Sequence, residues 1–487
     1  MQANIKYFIK HSLVYGISSI AQKASGIILI PVLTKYLSTS EFGQQGILIV
    51  TITILSQILL LGQGQSIIRY SNIEDYEQKK KSVFFTLLTF ITAISILFLI
   101  AGVSFIDSFA SIFEDSYAFR EYLNISLFII AFTNINYLLS NKLRADEKSI
   151  LFTVSGIAKL LIVLITGVYL VAFEGMGVKG VLFANLAGEV IALLIVVPYL
   201  FSQLQFKFDT AVLKESLIFG IPLIFSSLAM NLLNWSDRYI LKLLTAYSTL
   251  GLYELAYKVA GILNMFFIVP FSLTLLPIAY KFYKQEGDKL FYSKILTFFS
   301  FVMFWAGLGL SIFAEEIVRL FSLDPSYYPA AEVVPLLTLS YCIFGMSLVT
   351  ALGLYLTGNT KNVAIISVVC SAINIGLNFW LVPYLGMMGA ALNTLIAFLL
   401  LTIITTLRSN KYYKIPFEYL RIIKIIFAAV LLYFVSELFI VSGFIFNIII
   451  KLILLLLYPV VLIIAGFFKK DELNQAKTMY EKIKNRF

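Results

Sequence analysis

Apolar residues run along this chain in long blocks, not in the alternation of a half-buried strand or the one-sided stripe of a soluble helix. Charge-free runs cover Gly43 to Ile68, Ser82 to Ile106, Tyr122 to Asn141, Ser216 to Ser236, Val259 to Tyr280, Ile295 to Ala314 and Val333 to Thr360. A bilayer-crossing helix needs about 20 apolar residues, and each run supplies them. The stretch Asn362 to Leu407 is too long for one span and is interrupted by Val382-Pro383-Tyr384-Leu385-Gly386, which predicts two helices and a tight turn. Further apolar stretches carry one interior charge each: Ser12 to Thr34 with Lys23, Ser149 to Phe173 with Lys159, Val181 to Phe206 with Glu189, and Ile425 to Ile450 with Glu437. Leu452 to Phe468 completes a predicted set of about fourteen helices, an all-α integral membrane protein.

Composition agrees and closes other doors. Of 487 residues, 60% are hydrophobic and 13% charged, with a mean hydropathy of +0.91; soluble domains run near 45–50% and 25%. The spans leave little chain for connections, so a separate soluble catalytic domain is not expected. A lone histidine, His11, supplies neither a His-based metal site nor a Ser/His/Asp relay. Cys342 and Cys370 both lie in apolar stretches and read as buried small hydrophobes, with no disulfide or zinc implied. No cofactor and no metal is expected. The first apolar segment has no small-residue cleavage site and reads as a span, not a removed leader.

Charge sets the orientation. Lys and Arg gather in cytoplasmic connections of membrane proteins. With the N-terminus inside, 27 of the 37 basic residues fall in cytoplasmic segments and 6 outside, the remaining 4 (Lys23, Lys159, Arg238, Lys258) lying within helices. That asymmetry predicts an even number of spans with both termini cytoplasmic. The basic tail from Lys469 to Arg486 is read as lying on anionic headgroups, not on nucleic acid.

The chain also repeats itself. Leu33-Thr-Lys-Tyr-Leu-Ser-Thr-Ser-Glu-Phe-Gly43 is echoed by Leu244-Thr-Ala-Tyr-Ser-Thr-Leu-Gly251, and Gly177-Val-Lys-Gly180 by Gly386-Met-Met-Gly389, at offsets of 208 and 209. A constant offset across six helices predicts two tandem lobes, residues 1–206 and 207–410, followed by 411–487 with two extra helices and the tail, and a transport site at the lobe interface. Phe219-Gly-Ile-Pro222 to Asn234-Trp-Ser-Asp237-Arg238-Tyr-Ile-Leu, then Leu250-Gly251-Leu-Tyr253-Glu-Leu-Ala256-Tyr-Lys258, with Ile30-Pro-Val-Leu-Thr and Glu41-Phe-Gly43, resemble the polysaccharide-transporter branch of the multidrug/oligosaccharidyl-lipid/polysaccharide exporters. The resemblance implies a flippase: two six-helix lobes around a cationic cavity, two last helices forming a groove for a lipid tail, and an undecaprenyl-pyrophosphate-linked oligosaccharide as cargo. The resemblance also implies a bacterial cytoplasmic (inner) membrane location, and polysaccharide polymerase machinery is a further expected partner.

An ionisable group at mid-bilayer costs about 2.5–3.5 kcal/mol on the insertion scale, so Lys23, Lys159 and Lys258 together cost about 8–10 kcal/mol. Such residues belong in a watery or paired interior. Cations on the first and eighth helices line the cavity of related flippases, and the resemblance therefore implies pyrophosphate binding by Lys23 and Lys258; Lys159 has only its depth in favour of that role. The competing reading is structural pairing with Glu189, Asp237 or Glu254. Arg69, at the end of the second span, is either a landing point for phosphate or a positive-inside anchor. Asp237 and Arg238, as neighbours on a helix, are not expected to face each other, and make either an outer gate or a snorkelling helix-end pair. Glu254 and Lys258 have the favourable i, i+4 order, so Glu254 is expected to hold Lys258. Pro31, Pro222, Pro270 and Pro277 are expected to kink their helices.

Two motifs are declined. Gly175-Met-Gly177-Val-Lys-Gly180 fits G-x-G-x-x-G but joins two membrane helices, so it is a turn and not a dinucleotide site. No phosphate-binding loop for ATP is present in the sequence. Two rivals remain to the flippase: an ion-coupled multidrug exporter of the same superfamily, disfavoured by the helix count and the cationic interior, and a membrane-embedded glycan polymerase or ligase, disfavoured by short loops.

Overall fold

The computed structural model describes residues 26–111, 116–439, 443–469 and 472. Lys23, His11 and the tail beyond Lys469, Glu472 excepted, lie outside them. Among the described residues the protein is helical with no strand, and twelve helices are long and apolar enough to cross a membrane. In chain order we label α1 (Gly26–Tyr36), α2 (Thr39–Leu59), α3 (Gln63–Asn72), α4 (Lys80–Ser104), α5 (Ser116–Ala145), α6 (Ser149–Phe173), α7 (Gly177–Gln203), α8 (Thr210–Leu244), α9 (Tyr247–Phe282), α10 (Asp288–Ile312), α11 (Val334–Leu356), α12 (Thr360–Tyr412), α13 (Tyr419–Leu438) and α14 (Phe444–Ile464).

Local chemistry sets several boundaries. Ser38 and Glu41 form a capping box that starts α2, and the Asp209 carboxylate starts α8 by accepting from the Ala211 and Val212 N–H groups. The expectation of one uninterrupted helix from Gly43 to Ile68 fails. The helix breaks after Leu59, where Leu61 and Gly62 take φ +46° and +72°. Gly62 meets the backbone of Gly220 so closely that an added Cβ would sit 2.3 Å from the Gly220 carbonyl oxygen. Only glycine tolerates both the dihedral and the approach. The break expected near Val382–Gly386 is present: α12 turns at Gly386, with φ +54° and ψ −132°. At Pro270 the missing N–H is absorbed by a π-helical turn, Asn264–Ile268, closed by the Val269 N–H donating to Asn264 O.

The paired Gly-x-x-Gly turns share a positive φ at their first glycine. Gly177 and Gly386 both take φ +54°, and Gly180 and Gly389 each press on the end of the preceding helix, at Leu170 and Leu381. The first echo is reciprocal. An added Cβ on Gly43 would lie 2.2 Å from Tyr247 O, and one on Gly251 would lie 1.9 Å from Thr39 O. The offset of 208 thus exchanges the two sides of one backbone crossing between α2 and α9.

Contacts divide the chain into two compact units. The first comprises Met1–Lys258, Arg319–Ala330 and Ser367–Thr394. In it α6 packs along α7, α5 lies against α2, α4 and α7, and α8 lies along α2, over an apolar core that includes Phe84, Leu87, Leu138 and Val196. Arg319–Ala330 is strapped to the turn between α1 and α2: the Tyr327 hydroxyl donates to Leu37 O at 2.9 Å, and the Thr34 hydroxyl to Phe321 O at 2.9 Å. The second unit comprises Val259–Val318, Ala331–Ile366 and Leu395–Phe487. There α10 packs on α11 and α13, and α14 on α13. Trp305 Nε1–H donates to Leu455 O at 3.0 Å, and Lys451 pairs with Glu316 at 2.6 Å, fixing α14 at two levels.

Candidate functional site

In the first unit, α8 and α9 bring together the charges that the sequence singled out. Arg238 is 4% exposed, Asp237 1% and Glu254 6%. Arg238 Nε donates to Glu254 Oε1 at 2.5 Å, and Nη1 donates to Asp237 Oδ1 at 3.1 Å and to Asn234 O at 2.8 Å. Its guanidinium carbon lies 4.0 Å from the centre of the Tyr257 ring. The other Asp237 oxygen accepts from the Tyr253 hydroxyl at 2.5 Å and the Thr394 hydroxyl at 3.4 Å. Charges buried so deeply persist only when paired and hydrogen-bonded, and this cluster meets that condition.

Two expectations are corrected here. Asp237 and Arg238 do meet: the arginine stem is long enough to curl back, and Asp237 Oδ1 also accepts the Arg238 backbone N–H at 2.9 Å. Glu254 pairs with Arg238, not with Lys258. Its place against α2 depends on Gly46, where an added Cβ would lie 2.5 Å from Glu254 Cγ. Lys258 is half-buried and points elsewhere, its ammonium 4.2 Å from the centre of the Phe42 ring. Among the described residues no carboxylate lies within ion-pair distance of it.

The other candidates lie apart from this cluster or outside the described residues. Lys159 donates to Glu189 Oε1 at 2.6 Å, and Glu189 also accepts from Thr133 at 2.9 Å and Asn136 at 2.7 Å. Arg69, on α3, is exposed and stacks over Phe219 at 4.4 Å. Among the described residues it too has no carboxylate within ion-pair distance. Lys23 cannot be placed.

Sequence reading passed over the amide layer beside Asp237. Ser236 donates to Asn374 Oδ1 at 2.9 Å, Asn378 Nδ2 reaches the same oxygen at 3.3 Å, and Asn393 Nδ2 donates to Asn374 O at 2.7 Å. Asn378 Oδ1 and Asn393 Oδ1 are buried without a partner among the described residues. The signal was available: Asn374 and Asn378 share a face at i, i+4 in an otherwise apolar run, where each amide demands a partner. The oxygens around Asp237 are hard donors, and the Arg238 guanidinium fills the cationic place beside them. Among the described residues no cluster of His, Cys, Asp and Glu is arranged to hold a metal ion.

A multi-helix membrane protein with buried ion pairs on α8 and α9 is the class that fold and site define. The chain belongs to the polysaccharide biosynthesis protein family, whose sequence profile matches residues 8–282. No curated protein sequence matches the chain. Among solved structures it is similar to the lipid II flippase MurJ in an inward closed conformation, with a TM-score of 0.74 at 16% identity over 93% of this chain and 98% of that one. It is similar also to an inward-facing multidrug resistance MATE family transporter of the MOP superfamily, with a TM-score of 0.65 at 17% identity over 81% and 94%. A MOP superfamily transporter from Pyrococcus furiosus gives 0.60 at 14% identity over 85% and 96%. At such identities the likeness describes the fold.

Proposed function

We propose that this protein is a flippase that moves an undecaprenyl-pyrophosphate-linked oligosaccharide, the repeat unit of a cell-surface polysaccharide, from the inner to the outer leaflet by alternating access of its two repeats. The observation that carries the reading is Lys258, a half-buried ammonium on a membrane helix with no carboxylate at ion-pair distance among the described residues. A pyrophosphate supplies the missing anion, which a compact ammonium binds as a point charge. Arg69, exposed and backed by Phe219, offers a second cation, and Lys23 a third from its place in the sequence. The family's part in polysaccharide biosynthesis and the fold shared with a lipid II flippase support the same reading. An exporter of cationic drugs would keep carboxylates free for cargo or coupling ions, whereas Asp237 and Glu254 are both engaged by Arg238.

The basic-residue asymmetry supports both termini in the cytoplasm, the family resemblance supports a bacterial inner-membrane location, and polysaccharide polymerase machinery is the expected next user of the cargo. Deleting the gene should trap lipid-linked repeat units in the inner leaflet. The wild-type gene restores export, Lys258→Ala does not at normal protein level, and Lys258→Arg restores part because the charge survives. Full export by Lys258→Ala would reduce this lysine to a structural residue.

A further inference from the structure

Glu254 is one of two carboxylates bound to Arg238. It binds Arg238 through Oε1 at 2.5 Å; among the described residues its second oxygen accepts no hydrogen bond, and Nη2 of Arg238 donates to nothing. Each partner of this pair therefore has unused capacity. A guanidinium matches phosphate bidentately, with a stronger and more directional bond than the single contact it makes to Glu254. Glu254 is also held sterically. It reaches α2 only through the notch at Gly46, one helical turn from the reciprocal crossing of Gly43 and Gly251. Lys258 lies one turn further along α9, in the order that lets a displaced Glu254 carboxylate reach it.

We propose that Glu254 is a built-in stand-in for the cargo's phosphate. It occupies Arg238 while the site is empty, and it is displaced when the pyrophosphate arrives, so that cargo binding withdraws Glu254 from the Gly46 notch and frees α9 to part from α2. This rests on the pyrophosphate reading above and adds to it a competing internal anion and Arg238 as a cargo ligand. Glu254 is thereby a positioning residue that sets affinity through Arg238, and the exchange of one anion for another requires no proton transfer.

The test is binding of undecaprenyl pyrophosphate to the purified full-length protein in detergent, for wild type, Glu254→Gln, Glu254→Asp and Lys258→Ala. Removing one negative charge next to the anion's place tightens binding by about tenfold in Glu254→Gln, while Glu254→Asp, which keeps the charge, stays near wild type and Lys258→Ala weakens binding. A Glu254→Gln protein that is folded and binds no tighter than wild type overturns the proposal, with the pyrophosphate reading intact if Lys258→Ala still weakens binding. Absence of binding by every variant, wild type included, overturns both. Should Glu254→Gln fail to fold, Arg238→Gln with Glu254→Gln removes the buried pair together. The proposal then expects weaker binding than wild type, and unchanged binding contradicts it.

Discussion

Two arginines in this protein are each held between two carboxylates, and the surroundings make them different devices. Arg238 lies inside the membrane-spanning part of the first unit, bound to Asp237 on its own helix and to Glu254 on the next. Arg421 lies in the first turn of α13 in the second unit, bound to Glu418 at 2.7 Å and to Glu472 at 2.7 Å, beyond α14. The second cluster has reserves: Glu418 also accepts from Lys469 at 2.5 Å and Thr297 at 2.9 Å, and Glu472 from the Lys469 backbone N–H at 3.0 Å. It is a clasp that fastens the segment after α14. The first cluster has no spare cation in contact, and the nearest one along α9, Lys258, is left over. The same chemistry thus serves as a clasp where a second cation, Lys469, joins two carboxylates, and leaves two carboxylates on a single arginine where the second cation, Lys258, stands apart.

Replacing the two arginines separates these roles. Arg238→Ala leaves Asp237 and Glu254 buried without a cation and should cost about 3–5 kcal/mol, read as failure to recover monodisperse protein or a large fall in Tm. Arg421→Ala should cost about 1.5–3 kcal/mol, because Lys469 and Thr297 still serve Glu418. Equal losses would mean that the surroundings do not matter. Gly46→Ala attacks only the first cluster, by driving a Cβ to 2.5 Å from Glu254 Cγ; an overpacking cost of about 1–3 kcal/mol is expected, against near-neutrality for Gly376→Ala, where an added Cβ meets nothing within 4 Å.

Acid should loosen only the clasp's own contribution. Burial pushes the Glu418 carboxyl up, but bonds from Lys469 and Thr297 and the charge of Arg421 hold it below the ordinary range; burial likewise raises Glu472, outweighed by the Lys469 N–H and Arg421. A depressed folded value means stability that is present above the unfolded Glu value, about 4.3, and lost as pH falls through the lower folded one. Amide exchange at residues 465–469 should therefore rise below pH 4.3, and Glu418→Gln should flatten that rise. Voltage is expected to act on the transport rate instead of on stability. A pyrophosphate diester carries about two negative charges, worth about 4–5 kcal/mol of outward bias per 100 mV with a negative cytoplasm, so collapsing the potential should slow transport, and an unchanged initial rate would point to a coupled ion.

The helical architecture was legible because charge-free runs leave the backbone no other way to satisfy its hydrogen bonds in lipid. Pro383 and Gly386 announced the turn in α12, whereas the Gly43–Gly251 offset, read as a mark of two lobes, gave no hint that these glycines meet at a backbone crossing. The break at Leu61–Gly62 was hidden, since its cause is Gly220, about 160 residues away in sequence. Side-chain pairing was harder to read. Spacing on one helix favoured Glu254 with Lys258, whereas the contact chosen crosses from α9 to Arg238 on α8, and a one-dimensional pattern does not rank such alternatives. The buried amides of Asn374, Asn378 and Asn393 were visible as polar interruptions but carried no charge to draw notice.

Flipping itself is the most direct trial of the account. Proteoliposomes containing the purified protein and an undecaprenyl-pyrophosphate-linked oligosaccharide, probed by a membrane-impermeant glycosidase or lectin, should expose lipid-linked sugar from the inner leaflet at a rate that depends on the protein and falls to the protein-free background with Lys258→Ala. A wild-type rate no faster than protein-free vesicles, with the protein folded and inserted, would contradict it.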